Sequence, residues 1–163
     1  CEVVPGVSSA LAAPALAGIP VTHRGLSSAF LVVSGHAEAA YRPALSSLQP
    51  RSVTLVVLMG LGSRAAIARL LRERGWPAAT PAAILFAAAS EDALGWRGTL
   101  DDLEVATLPE ASTNAPGTIV IGEVVSLADV IGTPATGVDE VRGAFPASAL
   151  PSPYVGRDRV GGR

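Results

Sequence analysis

The chain has 163 residues, 49% of them hydrophobic and 16% charged, with a net charge of −2, a mean hydropathy of +0.43 and a single cysteine. That length suits one domain burying roughly two thirds of its unfolded surface. Pro, Gly or Arg breaks each apolar run before the ~18 residues a bilayer crossing needs, no basic cluster outruns Arg72-Glu73-Arg74, and one cysteine closes no internal disulfide, so membrane spans, nucleic-acid surfaces and disulfide scaffolds are excluded.

A cytoplasmic protein is the expectation, and neither a signal peptide nor a metal motif is visible. All 12 cationic side chains are arginine. The chain opens at Cys1, inside what reads as a strand at Val3-Val4, so further residues upstream are expected. Pro5-Gly6 breaks that strand, and Ser8 or Ser9 then caps a short helix by accepting from its free backbone N–H groups. Gly18 ends the helix, Pro20 prevents its continuation, and the polar triplet Thr22-His23-Arg24 follows.

Residues 29–34 form an apolar run of strand length, dense enough in β-formers to predict a strand covered on both faces. Gly35-His36 closes it. Residues 37–48 read as a weak helix interrupted by Pro43. A second strand runs from Ser52 to Met59 and ends at Gly60. Beyond it Ala65, Ala66, Ile67, Leu70 and Leu71 recur at helical spacing, with arginines on the opposite face and Gly75 as the stop.

Residues 82–88 supply another strand and residues 95–100 a short one, after which Thr99 caps a helical turn rich in carboxylates. Residues 118–125 are the last strong strand, interrupted by Glu123, which needs a partner if buried and reads as structural. Strand, glycine, amphipathic helix is the unit of an open α/β sheet. Past Ile131 the periodicity fails, and residues 132–163 read as a flexible Gly/Pro/Arg-rich tail on which only Phe145 and Tyr154 offer docking groups.

The string from Pro5 to Gly25, PGVSSALAAPALAGIPVTHRG, together with Val33-Ser34-Gly35-His36, Leu58-Met59-Gly60-Leu61 and Ile121-Gly122-Glu123-Val124-Val125, resembles the uroporphyrinogen-III C-methyltransferases of the tetrapyrrole methylase family over roughly residues 1–128. The resemblance implies the class III methyltransferase fold, mainly its C-terminal mixed-sheet α/β domain. Residues 1–24 would then be the end of an N-terminal domain with its linker, 25–131 the C-terminal domain, and 132–163 the tail. It also implies S-adenosylmethionine as methyl donor, a tetrapyrrole substrate and a homodimer.

By the same resemblance Ser8, Ser9, Met59 and Ala88 contact the methyl donor, and Arg24, His36 and Met59 face the substrate, with Arg24 and His36 as catalytic candidates. Met59 is otherwise a core filler, Arg24 a solvated cation and His36 a satisfied structural group. His23 reads as holding its turn. Where the family has glycine and threonine this chain has Ala88 and Ala89, so a backbone contact survives there and a hydroxyl contact does not. A family glutamine is replaced near Ala93. The activity implied is conversion of uroporphyrinogen III to precorrin-2, towards siroheme and cobalamin, with these residues a partial enzyme expected to be inactive alone. Two alternatives stand beside it: a precorrin methyltransferase, or a non-catalytic fragment serving dimerisation, because the family's glycine-rich opening and Gly-Asp-Pro loop are absent from these residues.

Overall fold

The computed structural model describes residues 1–108, 110–112, 115–131 and 139–142. It shows a six-stranded mixed sheet of Phe30–Ser34 (β1), Thr54–Leu58 (β2), Pro81–Phe86 (β3), Leu94–Thr99 (β4), Gly117–Ile121 (β5) and Asp139–Arg142 (β6), in the order β1-β2-β5-β3-β4-β6. β1 runs parallel to β2, and β4 parallel to β6, whereas β5 pairs antiparallel with both β2 and β3, and β3 antiparallel with β4.

Alternate side chains of the central strands face opposite sides, as a period of two requires. On one face Leu55, Val57, Ile84, Phe86, Ile119 and Ile121 pack against the helices Glu38–Ser46 (α2), Arg64–Glu73 (α3) and Leu100–Val105 (α4). On the other, Ala83, Leu85 and Val120 meet Ala13 of Ser9–Leu16 (α1), then Ile19, Val124, Val125 and Ala128. The helix Ala128–Ile131 (α5) completes that layer. α1 therefore packs on the same sheet as the other helices.

The helix ends follow their local chemistry. Ser8 caps α1 by accepting from the Ala10 N–H at 3.2 Å. Gly18, at φ 69°, lets the chain reverse, so that the Gly18 and Ile19 N–H groups donate to the Ala15 and Pro14 carbonyls. Gly75, at φ 86°, ends α3 in the same way, with the Trp76 N–H returning to Leu71. Thr99 and Asp102 form a reciprocal capping box at α4. Burial raises the Tyr41 phenol above its ordinary pKa, the neighbouring Glu38 carboxylate raises it further, and Arg42 opposes both.

Several expectations are corrected. Val3 and Val4 belong to no strand among the described residues and stand exposed. β1 is not covered on both faces: it lies at the sheet edge, and Phe30 and Val32 remain exposed because α1 rests on β2 and β5. Pro43 does not interrupt α2 but sits inside it, exposed to solvent, where its missing N–H leaves the Ala39 carbonyl without a helical donor. The strand expected over residues 118–125 stops at Ile121, since Gly122 at φ 145° turns the chain into a 3-10 segment, Glu123–Leu127. Glu123 thus follows the strand, and its half-buried carboxylate accepts from Arg51 Nε at 2.7 Å. Within the span read as a tail, residues 139–142 pair with β4; its remaining residues, with Phe145 and Tyr154, lie outside the described ones.

Because Pro43 is exposed, replacing it costs no packing and restores one helical hydrogen bond. Pro43→Ala is expected to raise stability by about 1–3 kcal/mol, read as a higher melting temperature. An unchanged transition would mean that water already satisfies the Ala39 carbonyl.

Candidate functional site

β2 and β3 both run antiparallel to β5, so they run parallel to each other, and β1 is parallel to β2. Their carboxyl ends consequently share one end of the sheet, where open α/β sheets take ligands. Three loops leave it: Gly35-His36 after β1, Met59-Gly60 after β2, and residues 87–90 after β3.

The loops interlock through small residues. The Gly35 N–H donates to the Leu58 carbonyl at 2.7 Å, and a Cβ added at Gly35 would fall 2.6 Å from the Gly60 Cα, so only glycine fits. Leu61 lies over Gly117 at the start of β5, where an added Cβ would meet its Cδ1 at 2.7 Å. Gly117 is paired with Phe86, and the Ala87 N–H donates to the Pro116 carbonyl at 2.9 Å. Histidine loop, methionine loop and alanine loop therefore form one continuous rim.

Backbone strain concentrates there. Of four non-glycine residues with positive φ among those described, three are on this rim: Met59 at 55°, Ala87 at 45° and Ala89 at 69°. Such residues cost energy that the surroundings must offset, and they cluster where a ligand is held. The Met59 side chain, 67% exposed, is no core filler. Ala88 and Ala89 are exposed beside it. A rim of small side chains, left-handed backbone and one projecting thioether suits a bulky, partly apolar cofactor held by backbone and surface contacts.

His36 is exposed, and its Nδ1 lies 2.7 Å from the Ser34 Oγ. The residues alone give no role to Ser34 and no left-handed backbone to Ala87 or Ala89. For Ser34 the signal is its place in the motif Val33-Ser34-Gly35-His36. For the alanines there is none, because nothing local demands positive φ of alanine.

The sheet brings His36, Met59 and Ala88 together but not Arg24. Arg24 is exposed in the turn closed by the His23–Ser27 bridge, which feeds the amino end of β1 through Ala29, whereas His36 follows its carboxyl end. The five residues of β1 between them span roughly 13 Å. His23 does hold its turn, through main-chain bonds with Ser27 in both directions, while its Nδ1 is buried without a partner among the described residues. The Ser8 hydroxyl accepts from the Ala10 N–H in the α1 cap, and Ser9 is exposed at the first turn. Among the described residues no group of acidic, histidine or cysteine side chains could hold a metal, and no helix is long and apolar enough to cross a membrane.

Residues 1–104 match the family described as Tetrapyrrole (Corrin/Porphyrin) Methylases. A uroporphyrinogen-III C-methyltransferase of Methanocaldococcus jannaschii is 37% identical over 130 residues, covering 78% of this chain and 53% of the relative. A siroheme synthase of Tolumonas auensis is 37% identical over 133 residues, covering 80% of this chain and 27% of the relative. Among solved structures, uroporphyrin-III C-methyl transferase from Thermus thermophilus complexed with S-adenyl homocysteine matches with a TM-score of 0.61 and 34% identity, over 77% of this chain and 54% of that one. The chain thus spans about half the length of the methyltransferases it matches, and less of the siroheme synthase.

If Met59 is strained for a ligand's sake, relieving it should stabilise the free protein. Met59→Gly is expected to raise the urea midpoint by the equivalent of about 0.5–1 kcal/mol, the αL relief less the added entropy of glycine. A lower midpoint would mean that the side chain packs instead of projecting.

Proposed function

The chain belongs to the tetrapyrrole methylases, and we propose that it serves in S-adenosylmethionine-dependent C-methylation of uroporphyrinogen III to precorrin-2, on the way to siroheme and cobalamin. The observation that carries this reading is the single rim of His36, Met59 and residues 87–89, with left-handed backbone at Met59, Ala87 and Ala89. The relatives' names add the substrate class, and the S-adenyl homocysteine complex of the Thermus relative adds the donor class.

The donor supplies a methyl group on a sulfonium whose departure leaves a neutral thioether, so the reaction asks for alignment and dryness more than for acid–base machinery. Met59 would lie against the donor with its flexible side chain, and the backbone at residues 87–89 would hold its polar edge. Ala88 and Ala89 carry no hydroxyl, so any polar contact there comes from main-chain groups. Ser9 would approach from the α1 start, and Ser8 with its O–H hydrogen, which the cap leaves free because the oxygen there only accepts. On the substrate side His36 would donate to a carboxylate at the rim.

Arg24 is proposed as a second carboxylate contact, reaching the substrate from the far end of β1. It forms no ion pair among the described residues, which leaves its guanidinium available. A homodimer in the cytoplasm completes the reading; the exposed apolar residues Phe30 and Val32 of the edge strand and Leu11 and Leu16 of α1 offer surface for it.

Titration with S-adenosylhomocysteine followed by backbone amide NMR, on these residues joined to an N-terminal domain that carries the family's glycine-rich opening and Gly-Asp-Pro loop, tests the donor site. Shifts are expected at residues 35–36, 59–60 and 87–90, with little change around Arg51 and Glu123 at the opposite end. No change at the rim under saturating ligand would remove the cofactor reading.

Arg24 has its own test with uroporphyrin III, a stable polycarboxylate. A pair left open to water is worth only about 0–1 kcal/mol, whereas a covered charge-assisted pair reaches about 1.5–3 kcal/mol. Arg24→Ala is expected to weaken uroporphyrin binding about tenfold or more and to leave S-adenosylhomocysteine binding unchanged. Equal uroporphyrin affinity in variant and parent would return Arg24 to the solvated surface.

A further inference from the structure

The contact between Ser34 Oγ and His36 Nδ1, at 2.7 Å, joins a half-buried strand hydroxyl to an exposed rim imidazole. Buried Gly35 between them is locked against Gly60, so the two side chains are held on one side of a backbone that cannot swing. Among the described residues the Ser34 hydroxyl has no other partner, and no carboxylate or second cation touches the ring.

A neutral imidazole has one donor and one acceptor nitrogen, and a hydroxyl has one hydrogen to give. Two assignments satisfy the contact. If Nδ1–H donated to Oγ, the serine hydrogen would have no acceptor in the protein and Nε2 would face outward as a bare lone pair. If the hydroxyl donates to Nδ1, its one hydrogen is used and Nε2 carries the outward N–H. Only the second arrangement meets an ionised carboxylate, which accepts and cannot donate.

We propose that Ser34 is the positioning residue for His36: its hydroxyl donates to Nδ1, holds the neutral ring as the Nε2–H tautomer, and aims that donor outward at an anionic oxygen of the substrate. When the ring takes up a proton both nitrogens donate, and the hydroxyl rotates to accept from Nδ1 without moving either heavy atom. The ring plane is therefore held in both charge states, and a polycarboxylate meets a donor in each. A nucleophilic Ser–His dyad shares this distance but also needs a third group to orient the base, and no such group touches His36 among the described residues. The orientation of the ring stands on the contact itself; the identity of the anion rests on the function proposed above.

Long-range nitrogen–proton NMR of the imidazoles reads the tautomer directly, and the chain has only two histidines, so His23 serves as internal control. Above the histidine titration range, His36 is expected to show a protonated Nε2 and an unprotonated Nδ1. Ser34→Ala is expected to shift that pattern towards a mixture of tautomers while the His23 signals stay put, and Ser34→Thr to restore it. Uroporphyrin III affinity should fall roughly two- to tenfold in Ser34→Ala, recover in Ser34→Thr, and fall no further when Ser34→Ala is added to His36→Ala. An Nδ1–H tautomer in the parent, an unchanged pattern in Ser34→Ala, or labelling of Ser34 by a fluorophosphonate would overturn the proposal. The S-adenosylhomocysteine footprint at Met59 and residues 87–89 is read in the same samples: its loss in the parent would remove the methyltransferase reading while leaving the tautomer result standing.

Discussion

The arrangement depends on β5 lying antiparallel between β2 and β3. Ile121 is paired with Leu55 on one side and Ala82 on the other, and all of residues 118–121 are buried. A strand shared in this way forces its two neighbours to run in the same direction, and their ends then appear together. Without β5 in that place, the loops after β2 and β3 would have no reason to form one rim. β1, parallel to β2, adds His36 to the same end.

The core on both faces makes that rim rigid enough to hold strain. Leu55, Val57, Ile84, Ile119 and Ile121 are fully buried on one side, with Ala83 and Val120 fully buried on the other. At roughly 1.5–3 kcal/mol for each large apolar side chain buried, this packing outweighs the ~1–2 kcal/mol that each left-handed residue at Met59, Ala87 and Ala89 costs. The rim is thus the place where stability is given up, and the interlocked glycines show how closely its backbone segments must approach. Gly35 against Gly60 and Gly117 under Leu61 leave no room for a Cβ. Charge plays a small part, as the ion pairs Arg51–Glu123, Arg69–Glu104 and Arg97–Asp129 brace loops and helices elsewhere, each with one partner open to water.

Much of the candidate site is legible in the residues themselves, but unevenly. Met59 and His36 are legible because each directly follows or nearly follows a dense apolar strand, and strand ends carry ligands in this class of sheet. Ser34 stands in its motif with no role of its own, and only the contact seen in the structure joins it to His36 beyond the strand end. Arg24 is legible as an unusual cation in a turn that leads into the amino end of β1, but its distance from the rim is not, since only the strand pairing gathers the three loops at the carboxyl ends.

The residues alone determined the elements whose causes are local. Ser8 as a cap, Gly18 and Gly75 as helix stops, the Thr99 cap and the apolar runs of β2, β3 and β5 each follow from the conformational limits or hydrogen-bonding needs of a few neighbouring residues. Tertiary structure decided what depends on partners distant in sequence. It placed β1 at an open edge, carried α2 through Pro43 because Tyr41 and Leu45 are buried on either side of it, and turned Glu123 out of the strand to meet Arg51, 72 residues away. It also set Met59, Ala87 and Ala89 in left-handed backbone, a conformation their own side chains disfavour and that only the pairing and packing around them can impose.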